Sequence, residues 1–151
     1  MLAALTVRDI VLIEQAALEF APGLNVLTGE TGAGKSILLD SLGLAIGARG
    51  RAAVRPGAAQ GSATAVFDPA SAHASRALLS EQAMASEGEI VLRRSLAADG
   101  KSRAFINDQA VSVGLLKDLG ELLLEVHGCL WYTCQKMRGH RVGSRYRGPG
   151  Q

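Results

Sequence analysis

Apolar residues alternate with polar ones near the start of the chain and again in its second half. Leu5, Val7, Leu18 and Phe20 recur at every second position, which is the spacing of a strand with one buried face. The alternation predicts strands at Leu2–Val7 and Gln15–Phe20. Three later strands are predicted at Thr64–Phe67, Glu89–Leu96 and Arg103–Ile106, the last two joined by an Asp-Gly hairpin turn.

Three other segments are predicted to be helical. Ser36–Ile46 is rich in apolar residues and is followed by Gly47, a residue that commonly terminates helices. His73–Ala85 is the second, and Ser112 is suited to cap a third that extends to about Gly120. Leu24–Thr28 is predicted to be a short strand that leads into a glycine-rich loop. This order of strands and helices indicates an α/β domain with a mixed sheet.

The glycine-rich loop fits the phosphate-binding pattern G-x-x-x-x-G-K-[ST] at every fixed position. Its eight residues are Gly29, Glu30, Thr31, Gly32, Ala33, Gly34, Lys35 and Ser36. A random chain of this length would match about 1% of the time. The place of the motif, between a predicted strand and a predicted helix, is the context that the pattern requires. The alternative interpretation is a solvated glycine-rich turn.

The residue types of this loop suit a nucleoside triphosphate, most simply ATP with Mg²⁺. Glycines allow successive backbone N–H groups to approach the phosphates, and the following helix presents its positive end to them. Lys35 is expected to reach the β- and γ-phosphates, and the Ser36 hydroxyl is expected to bind Mg²⁺.

Longer stretches of the chain resemble the amino-terminal ATPase segment of the RecN family. The members of this family are bacterial SMC-like DNA repair proteins. The resemblance covers nearly all of residues 1–128. Its most specific parts are Gly-Glu-Thr-Gly-Ala-Gly-Lys-Ser at 29–36 and Asp-Gly-Lys-Ser-Arg-Ala-Phe-Ile-Asn at 99–107; the other matching stretches are 5–13, 23–28, 39–44, 47–49, 54–57 and 126–128.

The resemblance implies a P-loop NTPase fold, specifically the N-terminal lobe of an ABC- or SMC-type ATPase head, present here as a partial domain. It implies a second head that helps to enclose ATP, and DNA as the partner in double-strand-break repair and recombination. Arg55 resembles an arginine that lies near nucleotide or DNA in SMC-like heads. The alternative for Arg55 is a solvated loop arginine.

The chain departs from the family pattern after Gly128. The family places a Gln after His-Gly, where it assists Mg²⁺ and the attacking water, but this chain has Cys129. The signature Leu-Ser-Gly-Gly and the Walker B Asp-Glu pair are also absent from the sequence. ATP hydrolysis by this chain alone is therefore uncertain. We expect a head lobe at residues 1–128, truncated or frame-shifted there, and an unrelated tail at 129–151.

Composition changes at the same boundary. Residues 1–128 hold 11 basic and 14 acidic groups, whereas residues 129–151 add five basic groups and no acidic one, which gives the overall charge of +2. A non-native or disordered end is one interpretation of the tail, and a basic arm for nucleic acid is the other. Cys129, Cys134 and His140 lack a fourth ligand for a structural zinc site. Neither a secretory signal nor a membrane span is evident, so a cytoplasmic location is expected.

Four cations cluster on the predicted hairpin: Arg93, Arg94, Lys101 and Arg103. They could contact DNA phosphates, although a solvated strand face is the simpler interpretation. Alternative functions are another P-loop class, such as a transporter ATPase subunit or a nucleotide kinase, and a truncated product without activity. The hairpin argues against a kinase, whose phosphate loop is usually followed by alternating strands and helices.

Overall fold

The computed structural model describes residues 1–28, 32–49 and 52–124. These residues form, in chain order, β1 (Leu2–Ile10), β2 (Ile13–Glu19), α1 (Gly32–Ala45), β3 (Gln60–Phe67), α2 (Ala74–Glu81), β4 (Ile90–Ala97), β5 (Ser102–Ile106), β6 (Gln109–Val111) and α3 (Val113–Leu123). The strands make one sheet in the order β2-β1-β3-β4-β5-β6.

Every described strand pairing in this sheet is antiparallel. The sequence predicted a mixed sheet in which Leu24–Thr28 was a further strand, but residues 24–28 form no strand in the structure. A parallel strand needs neighbours that are distant in sequence and cover on both faces. No described strand provides such a neighbour, so the α/β character arises from an antiparallel sheet with helices.

Alternation within each strand separates the two faces of the sheet. On β3, Ala63, Ala65 and Phe67 are fully buried, whereas the intervening Thr64 and Val66 are only half-buried. Val7 on β1 and Leu92 on β4 lie on the same face as Ala63 and Ala65, as the strand register requires. This face forms the core together with apolar residues of the helices, namely Ile37, Leu44, Ala45, Ile46, Leu79, Leu116 and Leu119.

Two turns explain why the β4–β5–β6 meander forms where the sequence predicts it. Gly100 has a φ of +87°, which a side chain would disfavour, and the Asp99 carboxylate accepts a hydrogen bond from the Lys101 N–H at 3.1 Å. Asn107 and Asp108 both have positive φ and connect β5 to β6. This turn leads into the three-residue strand β6, which was not predicted.

Helix boundaries differ modestly from those predicted. Helix α1 begins at Gly32 rather than Ser36, and α2 ends at Glu81 rather than Ala85 because Ala83 adopts a left-handed φ of +55°. Ser112 caps α3 as expected, since its hydroxyl oxygen accepts a hydrogen bond from the Leu115 N–H at 3.1 Å.

Helices α1 and α3 meet closely at two glycines. A side chain on Gly120 would collide with the backbone and Cβ of Ile46, just beyond the end of α1. A Cβ on Gly47 would lie 2.7 Å from the backbone nitrogen of Lys117, and Gly47 also has a φ of +83°. These contacts fix the C-terminal end of α1, and so help to fix the direction in which its N-terminal end points.

Candidate nucleotide-binding site

The candidate site lies at the N-terminal end of α1. Gly32, Ala33, Gly34 and Lys35 make up the first turn of this helix, and Ser36 follows. Gly34 is exposed, whereas Lys35 and Ser36 are half-buried. Gly29, Glu30 and Thr31 lie outside the described residues.

The body of α1 is anchored by its apolar side chains. Ile37, Leu44 and Ala45 are buried in the core against the sheet, with α1 lying across β1, β3 and β4. Ser41 is fully buried and donates its hydroxyl hydrogen to the Ile37 carbonyl at 2.7 Å, so its polar group is satisfied within the helix. A helix held along this face presents a well-defined N-terminus, which is what a phosphate site requires.

The first turn of α1 suits an anion. It contains no acidic residue, so no carboxylate within the turn offsets the positive end of the helix dipole. A Cβ on Gly34 would meet no atom within 4 Å, so the packing of the described chain does not require a glycine there. Since packing does not explain the glycine, its role is consistent with close approach of a ligand to the backbone, which a Cβ would hinder.

The segment immediately before the loop forms no regular structure and is exposed. Leu24 is 92% exposed and Val26 is 74% exposed, although both are apolar. Asn25 shapes the preceding turn: its carboxamide oxygen accepts a hydrogen bond from the Ala21 N–H at 3.1 Å, and its NH₂ donates to the Ala21 carbonyl at 2.8 Å. The predicted strand at Leu24–Thr28 is therefore wrong for this chain, because no neighbouring strand pairs with it among the described residues.

Arg55 lies against the turn between β1 and β2. Its guanidinium Nε is 2.9 Å from the Asp9 carboxylate, and its backbone N–H donates to the Asp9 carbonyl at 2.8 Å. Val54 forms an isolated antiparallel bridge with Ile10 beside this pair. Arg55 is thus half-exposed with an ion-pair partner, Asp9, which sequence reasoning did not single out.

The hairpin cations fall on opposite faces of the sheet. Arg93 lies over the ring of Phe105 at 4.2 Å and pairs with Asp108 at 3.2 Å. Arg94 shares the core-side face with Ala63 and Ala104, and its guanidinium donates to the Ser102 hydroxyl at 3.0 Å. Burial lowers the pKa of Arg94, because desolvation disfavours its charged form.

Lys101 and Asp99 form an exposed ion pair at the tip of the hairpin, with a distance of 2.8 Å. The side-chain hydrogen bond from Lys101 is the main cause that lowers the pKa of Asp99. Within the described ranges, no helix is long and apolar enough to cross a membrane. The same residues contain no group of three or more His, Cys, Asp or Glu side chains arranged to hold a metal. The Cys129, Cys134 and His140 set lies outside them.

Comparisons with known proteins agree with this fold. Residues 4–106 match the AAA domain family. The chain is 40% identical over 130 residues to the DNA repair protein RecN of Bacillus subtilis. The match covers 85% of this chain but only 23% of that protein. The chain therefore spans about a quarter of the length of this relative.

Solved structures with the same fold are more distant in sequence. A structure described as showing ATP-driven dimerization and DNA-stimulated activation of SMC ATPases has a TM-score of 0.64 at 18% identity and covers 80% of this chain and 78% of its own. A structure described as the recombination mediator protein RecF-ATPrS in the RecFOR pathway has a TM-score of 0.59 at 19% identity. The match covers 77% of this chain and 29% of that chain. These likenesses confirm the predicted P-loop ATPase fold, and the match over residues 4–106 shows that the chain belongs to the AAA domain family.

Proposed function

We propose that this chain is the ATP-binding segment of a RecN-type repair protein and that it binds ATP with Mg²⁺ through residues 29–36. The observation that carries the proposal is the complete phosphate-loop pattern at the N-terminus of α1, a helix whose first turn holds Lys35 and no carboxylate. The 40% identity to a DNA repair protein supports the RecN-type assignment over other P-loop classes.

Each part of the loop has a distinct role in this proposal. Backbone N–H groups of residues 29–34 surround the phosphates, and the dipole of α1 adds to their attraction. Lys35 supplies the positive charge for the β- and γ-phosphates, and the Ser36 hydroxyl holds Mg²⁺. When bound, Mg²⁺ neutralises phosphate charge that the single lysine cannot balance.

The proposal assigns binding rather than turnover to the isolated chain. Hydrolysis needs a water held in line and a fully coordinated metal. The resemblance assigns these tasks to a Q-loop Gln, a Walker B Asp-Glu pair and a signature loop from a second head, none of which is in the sequence. In the proposed setting, the lobe acts in the cytoplasm within a longer protein that acts on DNA breaks and pairs with a second head.

Nucleotide binding is tested with a fluorescent ATP analogue and Mg²⁺. Lys35→Ala should weaken binding by about 10- to 100-fold, which corresponds to the loss of one or two charge-assisted contacts worth about 1.5–3 kcal/mol in total. Lys117→Ala removes an equal charge from α3 and should leave the affinity unchanged. Equal affinities for the parent chain and Lys35→Ala would exclude the loop as the site.

The proposed boundary after residue 128 is tested by deletion of residues 129–151. If that tail is independent of the lobe, the melting temperature and the ATP affinity should both be nearly unchanged. A cooperative melt that shifts upward with Mg-ATP in both chains would also count against a non-functional product. Loss of the cooperative melt on deletion would show that the tail completes the core.

A further inference from the structure

The strand register places a set of cations on the sheet face opposite the helices. Across the sheet, Arg8 pairs with Ser62, Ser62 with Ser95, and Ser95 with Arg103, so these four side chains form one row on that face. The neighbouring row contains Arg93. The core residues Val7, Ala63 and Leu92 point the other way, toward α1 and α3. We name the opposite surface the open face and define its cations as Arg8, Arg93, Lys101 and Arg103.

Two of these cations carry charge that no described carboxylate offsets. Arg8 and Arg103 are exposed, and neither forms an ion pair with a described residue. Lys101 is 85% exposed and pairs only with Asp99 at the hairpin tip, and Arg93 pairs with the exposed Asp108. Exposed ion pairs of this kind contribute little to stability, so these two cations can exchange their carboxylate partners for another anion.

The remaining strand side chains of the open face include seven apolar ones, namely Ala4, Ala17, Val66, Val91, Ala97, Phe105 and Ala110. The others are mostly neutral hydrogen-bonding groups. Those of the central rows are Thr6, Gln15, Gln60, Ser62, Thr64 and Ser95. Among the described strand residues of this face, the one carboxylate is Glu19, at the end of the edge strand β2. Because Asp108 and Asp99 pair with Arg93 and Lys101, the part of this surface that complements a polyanion is the row of Arg8 and Arg103 with the hydroxyl groups between them.

We propose that the open face binds the phosphodiester backbone of duplex DNA, an inference that rests on the proposed repair function and locates its DNA contact. From Arg8 to Arg103 the row spans three strand spacings, about 14 Å, which matches roughly four base pairs of duplex. A duplex is favoured over bases splayed from a single strand because the Phe105 ring is already covered by the Arg93 guanidinium. Binding to single strands usually requires open aromatic rings for base stacking.

The test measures binding of the full 151-residue chain to a fluorescent 20-base-pair duplex as a function of salt. For Arg8→Gln combined with Arg103→Gln, the slope of log K against log salt should become shallower by about two, since each lost phosphate contact contributes about 0.9. Arg8→Lys with Arg103→Lys should retain most of the slope. Lys117→Gln, on the helical side, is the matched control and should leave it unchanged.

Three outcomes would overturn the inference. An unchanged slope in the double Gln variant would exclude the open face, and half of its loss in Lys117→Gln, which removes one charge instead of two, would indicate a response to net charge alone. Duplex binding that disappears on deletion of 129–151 and is insensitive to Arg8 and Arg103 would assign it to the tail. The ATP-analogue affinity of the same variants separates the two proposals, because it should stay at the parent value whether or not DNA binding is lost.

Discussion

The antiparallel sheet is held by strand pairing and burial within this chain, whereas the segment that enters the phosphate loop is neither paired nor buried. Each strand of the sheet is hydrogen-bonded to at least one other strand. Four of its side chains, those of Phe67, Ile90, Leu92 and Ile106, are fully buried. Residues 24–28 have the apolar content of a strand, yet Leu24 and Val26 face solvent. Hairpins join β1 to β2, β4 to β5 and β5 to β6, and the longer-range antiparallel pairs β1–β3 and β3–β4 complete the sheet. Residues 24–28 have no such partner among the described strands.

This difference shows that the folded core supports the helix side of the candidate site, whereas the segment that enters the loop has no such support. The sheet and helices hold α1 along its length, including at the Gly120–Ile46 contact. The segment before the loop contributes no described burial of its own. Substitutions should therefore affect stability strongly on the sheet, less at the loops and caps, and least at residues 24–28.

The largest loss of stability is expected for Phe67→Ala. Phe67 is fully buried at the end of β3, so the substitution removes buried area and leaves a cavity, at a cost of about 3–5 kcal/mol. Val66→Ala on the opposite face of the same strand is the matched control and should cost clearly less. Urea denaturation followed by circular dichroism measures both, and similar losses for the two would mean that the sheet does not have one buried face.

A smaller loss is expected for Arg76→Ala in α2. The Arg76 guanidinium donates to the carbonyls of Pro69, Ala70, Ser86 and Gly88, and so links the segments before and after the helix. Removing these charge-assisted contacts should cost about 1.5–3 kcal/mol, since water can replace some of them. Arg76→Lys should recover only a part, because a lysine cannot span the same acceptors. Full recovery in thermal melts would show that charge alone matters.

Ser112→Ala should lower the free energy of unfolding by about 1 kcal/mol, because it removes the N-terminal cap of α3. The Ser112 hydroxyl satisfies the Leu115 N–H, and α3 in turn contacts the end of α1. Ser112→Asp should restore the stability, because a carboxylate accepts the same hydrogen bond. ATP-analogue affinity should change little in either variant; a loss as large as that of Lys35→Ala would mean that α3 controls the loop directly.

The sequence predicted most of the antiparallel strands and the β4–β5 hairpin because their signals are local. Alternating apolar residues and turn-forming pairs such as Asp99-Gly100 act over a few residues, and the structure places strands and a hairpin there. Strand β6 was missed because three residues with one half-buried side chain carry no clear alternation. The end of α2 was misplaced because the left-handed φ of Ala83 has no signal in an alanine.

Prediction of the site was uneven for a related reason. The motif placed Lys35 and Ser36 at the start of a helix, and the structure agrees. The partner of Arg55 was not predicted, because Asp9 is 46 residues away and the contact depends on how the loop docks on the β1–β2 turn. The strand at 24–28 was predicted from its apolar residues alone, although a strand also needs a pairing partner, which local sequence does not report.

The smallest effect is expected for Val26→Thr, which replaces a methyl group by a hydroxyl at nearly constant shape. A buried valine would lose stability through desolvation of the new hydroxyl, but Val26 is 74% exposed, so the change should stay within about 0.5 kcal/mol. Leu24→Ser, at a residue that is 92% exposed, should behave in the same way. Both should reduce binding of the dye ANS, because the exposed apolar segment that attracts it becomes more polar. A loss of more than about 1 kcal/mol in urea denaturation would show instead that the segment is packed in solution, and the contrast between the self-supported sheet and residues 24–28 would no longer hold.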